Sequence, residues 1–561
     1  MNTRVSRKVV IIGGVAGGMS AATRLRRLDE HAQITILERG AYVSFANCGL
    51  PYYVGGIIDD RDSLLLQTPQ SLKSRFNLDV LVNHEAVAIN RKAKTVTAKT
   101  PDGESIFDYD QLILAPGARP FVPPMPGIDR ALTLRNVADV DAMMEAVSAQ
   151  PKTAAILGGG FIGLELAENL HRRNIEVTII EASSQILPPL DDEMAAMVEN
   201  HLIDQGIAVI TNDRAEEVTD VDVVLKSGAR VSAELVIVAV GVRPDTVIAQ
   251  EAGLETDYRG GIVVDSSQRT SDPNIYAVGD AVVKRDRIDS SFVHIPLANS
   301  ANRDGRVVAD IIVGLPPFDN ETKERQTIGV LGTAVVGVMG LTVAATGWNE
   351  RRARGTEKNV GVIHTHPFNH ATYYPGAEKL ALKLVYDLDT LEILGAQAVG
   401  GSGVDKRIDV IATAIAGGLK VCDLAGIDLA YAPQFGSAKD PITMLGFVAD
   451  NIASGMTETV DIHDLSALQE AGHLVLDVRT VGEYVKGNIP AAINIPLDDL
   501  RERIDEVKDL AGGRKVIVHC AVGVRGHSAV QILKANGVDA ANLDGGYATW
   551  QALERKNRRG R

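Results

Sequence analysis

The 561-residue sequence predicts an α/β protein built from several domains. Two observations lead to this prediction: an apolar strand, a glycine-rich turn and a helical run occur in succession near residue 10, and the same order returns near residue 155. A third strand–loop–helix unit, whose loop begins with a cysteine, lies near residue 520. Because strands that alternate with helices pair in parallel, each unit predicts a separate α/β domain.

Composition restricts the classes of function. The formal net charge of −15 argues against a nucleic-acid partner, which would need a basic face. Only Cys48, Cys422 and Cys520 carry thiols, and their wide spacing predicts neither a disulfide framework nor a metal site. A reducing cytoplasm is the expected location. The apolar run 328–347 contains five glycines and alternating β-branched residues, which predicts adjacent strands rather than a membrane span.

The first nucleotide-binding candidate is "KVVIIGGVAGGMSAATRLRR". Its glycines allow a tight turn that brings backbone N–H groups to a pyrophosphate at the helix N-terminus. Val15 replaces the middle glycine of the usual GxGxxG pattern. The following strand, "QITILERG", ends in Glu38, where a carboxylate can bind an adenosine ribose. The glycines of this candidate site are Gly13, Gly14, Gly17 and Gly18.

The second candidate, "TAAILGGGFIGLELAENL", has Gly158, Gly160 and Gly163 in full register, and its acid is Glu181. Two such Rossmann-like units predict two dinucleotides, most simply a flavin and a nicotinamide; a glycine-rich turn without a ligand is the less favoured alternative. Glu181 would repel a 2′-phosphate, and residues 182–190 contain no arginine or lysine to bind one. NADH is therefore expected in preference to NADPH.

Further segments resemble the flavoprotein disulfide reductases that bind two dinucleotides: "TSDPNIYAVGDA", "YDQLILAPGARP", "AELVIVAVGVRP" and "HIPLANSANRDGRVVADII". The resemblance implies FAD, with Asp280 at its ribityl chain and a helix from Ala298 beneath the flavin. It also implies a homodimer. The implied domains are an FAD-binding domain in two parts (1–150 and 236–325), an NAD(P)-binding domain (151–235) and an α+β dimerisation domain (326–455).

Cys48 lies in "SFANCGLPYYVGG". Reductases that use two thiols carry the second cysteine five positions later, where this chain has Tyr53. A single thiolate can still react if the substrate brings the other sulfur, and nearby N–H donors and an oxidised flavin would lower its pKa. Cys422 is expected to be a small buried side chain.

The segment around Cys48 resembles the active site of coenzyme A-disulfide reductases, in which the lone cysteine forms a mixed disulfide with coenzyme A. The resemblance implies that Tyr373 and Tyr431 of the partner subunit complete the pocket. Phe76 departs from the pattern, because the family often has lysine there. The implied coenzyme A-binding residues are Ser20, Arg24, Arg27, Ser44, Asn47 and Lys439.

Residues 456–561 resemble a rhodanese domain from end to end. The loop from Cys520 to Arg525 lies between a strand and a helix, where backbone N–H groups and the helix dipole stabilise an anion. A cysteine phosphatase is the rival interpretation, but its loop has five residues between cysteine and arginine, whereas this one has four. Asn488 stands where rhodaneses commonly have histidine.

Together these features predict an FAD-dependent NADH reductase of coenzyme A disulfide, coenzyme A persulfide or polysulfide, fused to a sulfurtransferase. Two alternatives stay open. One is an NADH oxidase that cycles a cysteine sulfenic acid. The other is a sulfur-relay or redox-sensing protein. No membrane partner is expected.

Overall fold

The computed structural model describes residues 6–317, 322 and 324–559. Its contacts divide the chain into two compact units. The first holds Ser184 and the described residues before it, together with the described part of Ile210–Gly332. The second holds Gln185–Val209, together with Thr333 and the described residues after it.

Strands and helices alternate along the chain as far as Ser184. The strands are β1 (Lys8–Ile12), β2 (Gln33–Glu38), β3 (Asp79–Val82), β4 (Glu85–Asn90), β5 (Thr95–Thr100), β6 (Gly103–Asp108), β7 (Gln111–Leu114), β8 (Ala118–Pro120), β9 (Thr153–Leu157) and β10 (Glu176–Ile180). The helices are α1 (Ala16–Leu28), α2 (Leu50–Val54), α3 (Pro69–Phe76), α4 (Val137–Ser148) and α5 (Phe161–His171).

The middle of the chain continues with α6 (Asp192–Asp204) and β11 (Ala208–Ile210). Its other strands are β12 (Ala215–Val218), β13 (Asp222–Leu225), β14 (Arg230–Ser232), β15 (Leu235–Val238), β16 (Val242–Pro244), β17 (Ile275–Ala277), β18 (Lys284–Arg285) and β19 (Phe292–Val293). Its other helices are α7 (Val247–Glu251) and α8 (Ala298–Ile312).

Two parallel sheets organise the first unit. One has the strand order β17-β7-β1-β2-β3, and in the other β9 lies between β10 and β15. Strand β1 reads as a continuous apolar run because helices cover both faces of such a sheet. Helices α1 and α8 touch backbone to backbone: a Cβ added at Gly305 would lie 2.2 Å from the carbonyl oxygen of Gly17. Each glycine motif therefore follows the central strand of its own sheet.

The second unit contains an antiparallel sheet in the order β20-β21-β24-β23-β22. Its strands are β20 (Ala334–Val338), β21 (Leu341–Gly347), β22 (Val360–Thr365), β23 (Leu380–Asp387) and β24 (Ile393–Gly400), and its helices are α9 (Glu350–Arg354), α10 (Val404–Gly417) and α11 (Pro441–Ala453). The prediction of adjacent strands within 328–347 is confirmed, since β20 pairs with β21. Among the described residues, no helix has the length and apolar character needed to cross a membrane.

The rest of the second unit is a parallel sheet in the order β25-β29-β28-β26-β27. The strands are β25 (Thr459–Val460), β26 (Leu474–Asp477), β27 (Ile493–Asn494), β28 (Val516–His519) and β29 (Ala540–Leu543). The helices are α12 (Leu465–Glu470), α13 (Val481–Val485), α14 (Leu497–Leu500), α15 (Ile504–Ala511), α16 (Val524–Ala535) and α17 (Gly546–Arg559). Cys520 directly follows the central strand β28. It therefore lies at the carboxyl ends of the parallel strands, where ligands of such folds bind.

Candidate functional site

The first glycine motif forms a tight cradle. A Cβ added at Gly13 would lie 2.1 Å from the carbonyl oxygen of Ala115, and one added at Gly18 would lie 2.0 Å from that of Gly13. Side chains are thus excluded at both positions, which lets the turn stay close to the sheet. The Gly14 N–H donates to Glu38 Oε2 over 2.8 Å, which holds the acid at the end of β2. This arrangement fits a dinucleotide whose ribose contacts Glu38.

The second motif repeats this arrangement. Gly158 has φ +111°, and a Cβ at Gly163 would lie 2.1 Å from the carbonyl oxygen of Gly158. The Gly159 N–H donates to Glu181 Oε2 over 2.8 Å, as Gly14 does to Glu38. A Cβ at Gly160 would meet no described atom within 4 Å, so the middle glycine faces the open space that a pyrophosphate would occupy. The residues of this turn fit a second dinucleotide.

Asp280 lies in a 3₁₀ turn, Gly279–Ala281, within the same unit as the first motif. Arg135 Nη2 donates to Asp280 Oδ2 over 3.2 Å, so this acid is held by an arginine from a distant segment. Gly17 on α1 lies against the neighbouring Val278, since an added Cβ would approach Val278 Cγ2 to 2.9 Å. Ala298 is the first residue of α8, the helix that the resemblance places beneath a flavin.

Cys48 occupies the centre of a 3₁₀ turn, Asn47–Gly49, which leads into α2; its thiol is free and exposed. The turn is attached to the first glycine motif, because the Ser44 N–H donates to the Gly14 carbonyl over 2.8 Å, with Ser44 in the left-handed region at φ 47°. In the orientation that its neighbours require, the Asn47 amide donates to the Arg135 carbonyl and accepts from Arg135 Nη1, each over 2.8 Å.

The chain surrounds Cys48 with more acid than base. Desolvation by the surrounding protein raises the pKa of the Cys48 thiol, the carboxylate of Glu165 raises it further, and the guanidinium of Arg135 opposes both. Tyr52 donates its hydroxyl to Glu165 Oε1 over 3.1 Å, and burial raises the pKa of Glu165. The residues of this chain therefore raise the thiol pKa, opposite to the lowered value expected from the sequence.

Sequence reasoning missed Tyr52, Glu165 and Arg135. Glu165 interrupts the apolar run "FIGLELA" on α5, and a charge within such a run is a signal that could have identified it. No sequence pattern marks Arg135, because its charge affects the Cys48 thiol only in the folded structure.

The α1 residues predicted to bind coenzyme A have partners within the chain. Ser20 Oγ donates to Asn302 Oδ1 over 2.5 Å, and Arg24 Nε donates to Asp310 Oδ1 over 2.6 Å. The guanidinium carbon of Arg27 lies 5.2 Å from the centre of the Phe76 ring, the position where the family often has lysine. Arg24 is thus already charge-balanced, whereas Arg27 covers an aromatic ring.

Tyr373 and Tyr431 lie together in the second unit, with their hydroxyl oxygens 3.1 Å apart. Both side chains are exposed, at 75% and 51%. The hydrogen bond to Tyr431 raises the pKa of Tyr373. Lys439 is also exposed, and its carbonyl accepts from Ser437 Oγ over 2.6 Å. The two phenols that the resemblance paired therefore form a hydrogen-bonded pair.

Cys520 begins the loop between β28 and α16, and only 1% of the residue is exposed. The loop closes through Gly523, which has φ +93°. Arg525 binds Glu483 on α13 through both terminal nitrogens, at 2.8 and 2.7 Å. Hydrogen bonding to Arg525 lowers the pKa of Glu483 to about 2. Glu483 was not anticipated from the sequence, although "TVGEY" places an acid early in α13.

Cys422 and Asn488, the other two residues singled out in the sequence, have ordinary structural surroundings. Cys422 lies in a 3₁₀ helix, Val421–Gly426, where it packs partly buried against an apolar core and burial raises its pKa. Asn488 donates to the carbonyl of Tyr484 over 3.3 Å, a contact within its own segment.

The comparisons with known proteins agree with this arrangement. Residues 7–305 match the sequence pattern of the pyridine nucleotide-disulphide oxidoreductases, and residues 333–440 match the dimerisation domain of that group. The chain belongs to the pyridine nucleotide-disulphide oxidoreductase family. Residues 461–553 match the rhodanese-like domain. The predicted fold class and the family resemblance are both confirmed, and membership of this family implies FAD and a nicotinamide dinucleotide as cofactors.

Three relatives of this family member are similar over long stretches. A coenzyme A disulfide reductase of Staphylococcus haemolyticus is 34% identical over 80% of this chain and all of its own. The crystal structure of reduced CoADR-RHD of Bacillus anthracis is 43% identical, with a TM-score of 0.95 over 98% of this chain and 99% of its own. An NAD-dependent persulfide reductase from A. fulgidus is 37% identical, with a TM-score of 0.90 over 97% of this chain and 100% of its own.

Proposed function

We propose that the protein is a homodimeric, FAD-dependent NADH reductase of coenzyme A disulfide, coenzyme A persulfide or polysulfide, fused to a sulfurtransferase. The observation that carries the proposal is the free, exposed thiol of Cys48, attached to the first glycine motif with Tyr53 at the position of a resolving cysteine. The names of two relatives, a coenzyme A disulfide reductase and an NAD-dependent persulfide reductase, support coenzyme A disulfide and a persulfide as substrates.

The proposed reaction begins at Cys48. Its thiolate attacks one sulfur of coenzyme A disulfide, which forms a mixed disulfide and releases the first coenzyme A thiolate. The first glycine motif with Glu38, together with Asp280, would hold FAD, which when bound would supply hydride transfer from NADH and the electron pair that cleaves this mixed disulfide. Cleavage restores the Cys48 thiolate and releases the second coenzyme A thiolate. In sum, NADH, one proton and the disulfide give NAD⁺ and two thiols. With a persulfide, hydrosulfide takes the place of one thiol.

Substrate binding is assigned to both subunits. Ser44 and Asn47 border Cys48 and suit the pantetheine arm, while Arg27 and Lys439 are the cations proposed for the phosphates. Arg24 contributes less, because Asp310 already balances its charge over 2.6 Å. The hydrogen-bonded Tyr373 and Tyr431 of the partner subunit are proposed to donate to the departing thiolate.

Cys520 is proposed to carry sulfane sulfur as a persulfide within the loop that ends at Arg525. The four residues between Cys520 and Arg525 suit a small sulfur anion, for which Arg525 would provide the positive charge. Transfer of this sulfur to coenzyme A would supply the reductase with its persulfide substrate. Glu181, held by the Gly159 N–H, supports the preference for NADH.

The test is peptide-mapped mass spectrometry of the flavin-loaded protein after incubation with coenzyme A disulfide or thiosulfate, combined with NADH consumption assays. A coenzyme A adduct on Cys48 and an added sulfur on Cys520 are expected. NADH-dependent oxygen uptake that exceeds persulfide reduction would instead favour the oxidase. Slow turnover with every acceptor would favour the sulfur-relay protein.

A further inference from the structure

The Cys520 loop is supported from behind by the start of α17. The Tyr547 N–H donates to the Cys520 carbonyl over 2.9 Å, and the Ala548 N–H donates to the Ala521 carbonyl over 3.0 Å. The C=O and N–H of one planar peptide unit point in opposite directions. Because these two carbonyls point towards α17, the N–H groups of Ala521 and Val522 in the same peptide units point away from it.

The contact between α17 and the loop requires a turn without side chains. Gly545 and Gly546 have φ +68° and +61°, and a Cβ added at Gly546 would lie 2.7 Å from the Cys520 carbonyl oxygen. The same Cβ would lie 3.0 Å from the Gly523 nitrogen. The position of this turn therefore decides the shape of the loop.

Two histidines of the dimerisation domain contact this turn. His366 Nε2 lies 2.7 Å from Thr549 Oγ1, and Thr549 donates to the Gly545 carbonyl. The more direct contact is made by His364, on β22. The carboxylate of Asp544, just before the two glycines, accepts the His364 backbone N–H through both oxygens at 3.0 Å. It also accepts His364 Nδ1–H over 2.5 Å. A Cβ added at Gly545 would lie 3.0 Å from His364 Cβ, so the strand and the turn are in direct contact.

The His364 ring is held on its other side as well. Its Nε2–H donates to Glu193 Oε1 over 3.0 Å, and Glu193 in turn binds the fully buried ammonium group of Lys383. Burial favours a neutral ring, but the charge of Asp544 and the hydrogen bonds to both carboxylates raise the pKa of His364 to about 10. At neutral pH the ring is an imidazolium with both N–H groups engaged, and it has one orientation.

Lys383 completes the support. Its ammonium lies 2.9 Å from Asp191 Oδ2 and donates to Glu350 Oε2 over 2.6 Å. Asp191, Glu193 and Glu350 lie close enough together to hold a metal ion, but Lys383 occupies their centre. The cluster is therefore a buried ionic network centred on Lys383, which anchors His364 through Glu193.

We infer that His364 is a positioning residue for the Cys520 site: through Asp544 it fixes the start of α17 and thereby the direction of the amide groups that face the sulfur. The dimerisation domain thus completes the anion-binding loop of the rhodanese domain. This inference rests on the proposed sulfurtransferase role of Cys520, and its test is chosen so that the two can fail separately.

The experiment compares His364→Ala, His364→Gln and Asp544→Ala with the parent in the full-length, flavin-loaded protein. Peptide-mapped alkylation of Cys520 at neutral pH reports the reactivity of its thiol. We expect Asp544→Ala and His364→Ala to slow this alkylation about tenfold, since misdirected amide groups stabilise the thiolate less. His364→Gln keeps one donor and is expected to lie between these variants and the parent.

The second readout is thiosulfate–cyanide sulfurtransferase activity beside NADH-dependent reduction of coenzyme A disulfide. We expect kcat/KM for sulfur transfer to fall about tenfold in Asp544→Ala and His364→Ala, with the reductase rate unchanged. The variant that combines His364→Ala with Asp544→Ala is expected to have the same kcat/KM for sulfur transfer as Asp544→Ala alone, because the two residues act as one unit. Arg555→Ala is the matched control, since Arg555 joins the far part of α17 to Asp204 on α6.

The outcomes separate the explanations. Parent-like alkylation and sulfur transfer in both alanine variants would overturn the inference. An equal loss in Arg555→Ala would also overturn it, because general loosening of α17 would then be sufficient. A parent protein without sulfurtransferase activity would refute the proposed role of Cys520, while the alkylation profiles would still decide whether His364 shapes the loop.

Discussion

Arg525 and Glu483 form a two-pronged ion pair that joins the end of the Cys520 loop to α13. A guanidinium held in this way keeps one orientation towards the loop, and part of its charge is balanced before any anion binds. The pair therefore sets both the position and the strength of the positive charge near Cys520.

Replacing Glu483 tests this role. Glu483→Gln removes the charge that orients Arg525, so kcat/KM for thiosulfate–cyanide sulfur transfer should fall about tenfold or more, and Arg525→Ala should fall further. Steady-state kinetics of the full-length protein provide the measurement. The matched control is Glu506→Gln, which breaks the Arg503–Glu506 pair elsewhere in the same domain and should change nothing. If Glu483→Gln keeps the kinetics of the parent, the ion pair does not orient Arg525 for sulfur transfer.

The same pair predicts a pH window. The pKa of Glu483 is lowered to about 2, so its contribution to stability is complete above the ordinary value near 4.5 and is lost as the pH falls through about 2. The difference in unfolding free energy between the parent and Glu483→Gln should therefore be constant above pH 5 and shrink below it. Denaturant unfolding at a series of pH values measures this difference. A difference independent of pH would contradict the assignment.

The tyrosine pair predicts a kinetic defect without loss of fold. Tyr373→Phe and Tyr431→Phe each remove one hydroxyl of the 3.1 Å contact, and coenzyme A disulfide reduction should fall about tenfold in kcat if these phenols donate to the leaving thiolate. The double variant should fall by less than the product of the single effects. Tyr258→Phe, an exposed tyrosine at 93%, is the control. An unchanged kcat in both single variants would contradict a role in donating to the thiolate, and the two tyrosines would then be only a packing contact.

Glu181 predicts the choice of nicotinamide. Glu181→Ala removes the carboxylate that the Gly159 N–H holds, so KM for NADH should rise about tenfold while NADPH improves relative to it. Steady-state kinetics with each nucleotide measure the ratio. Glu176→Ala, at the exposed start of the same strand β10, should leave the ratio unchanged. A parent that prefers NADPH would contradict the interpretation of Glu181.

The sequence predicted both glycine motifs, the lone Cys48 and the Cys520 loop, because each is a local pattern in which neighbouring residues carry the chemistry. Glu165, Tyr52 and Arg135 were not predicted as site residues, because they belong to three separate segments that meet only in the folded first unit. The His364–Asp544 contact was not predicted for the same reason, because the two residues are 180 positions apart in the sequence. The assigned roles of the individual site residues stay predictions until variants are measured.

Glu165 predicts the reactivity of Cys48. Desolvation by burial and then the Glu165 carboxylate raise the pKa of the Cys48 thiol, so Glu165→Gln should lower that pKa and speed alkylation of Cys48 at neutral pH. Alkylation rates in the flavin-free protein, followed by peptide mapping, measure the shift. Glu145→Gln, an exposed acid on α4, is the control. A higher pKa in Glu165→Gln would reverse the proposed electrostatics.

The central claim is that Cys48 is the only protein sulfur through which electrons reach the substrate. The most direct measurement is the rate of NADH-dependent coenzyme A disulfide reduction by Cys48→Ser with its FAD retained, beside Cys422→Ser as the matched thiol control. The account predicts that Cys48→Ser loses this activity by about a thousandfold or more, whereas Cys422→Ser keeps it. A Cys48→Ser protein that reduces the disulfide at the parent rate would contradict the account.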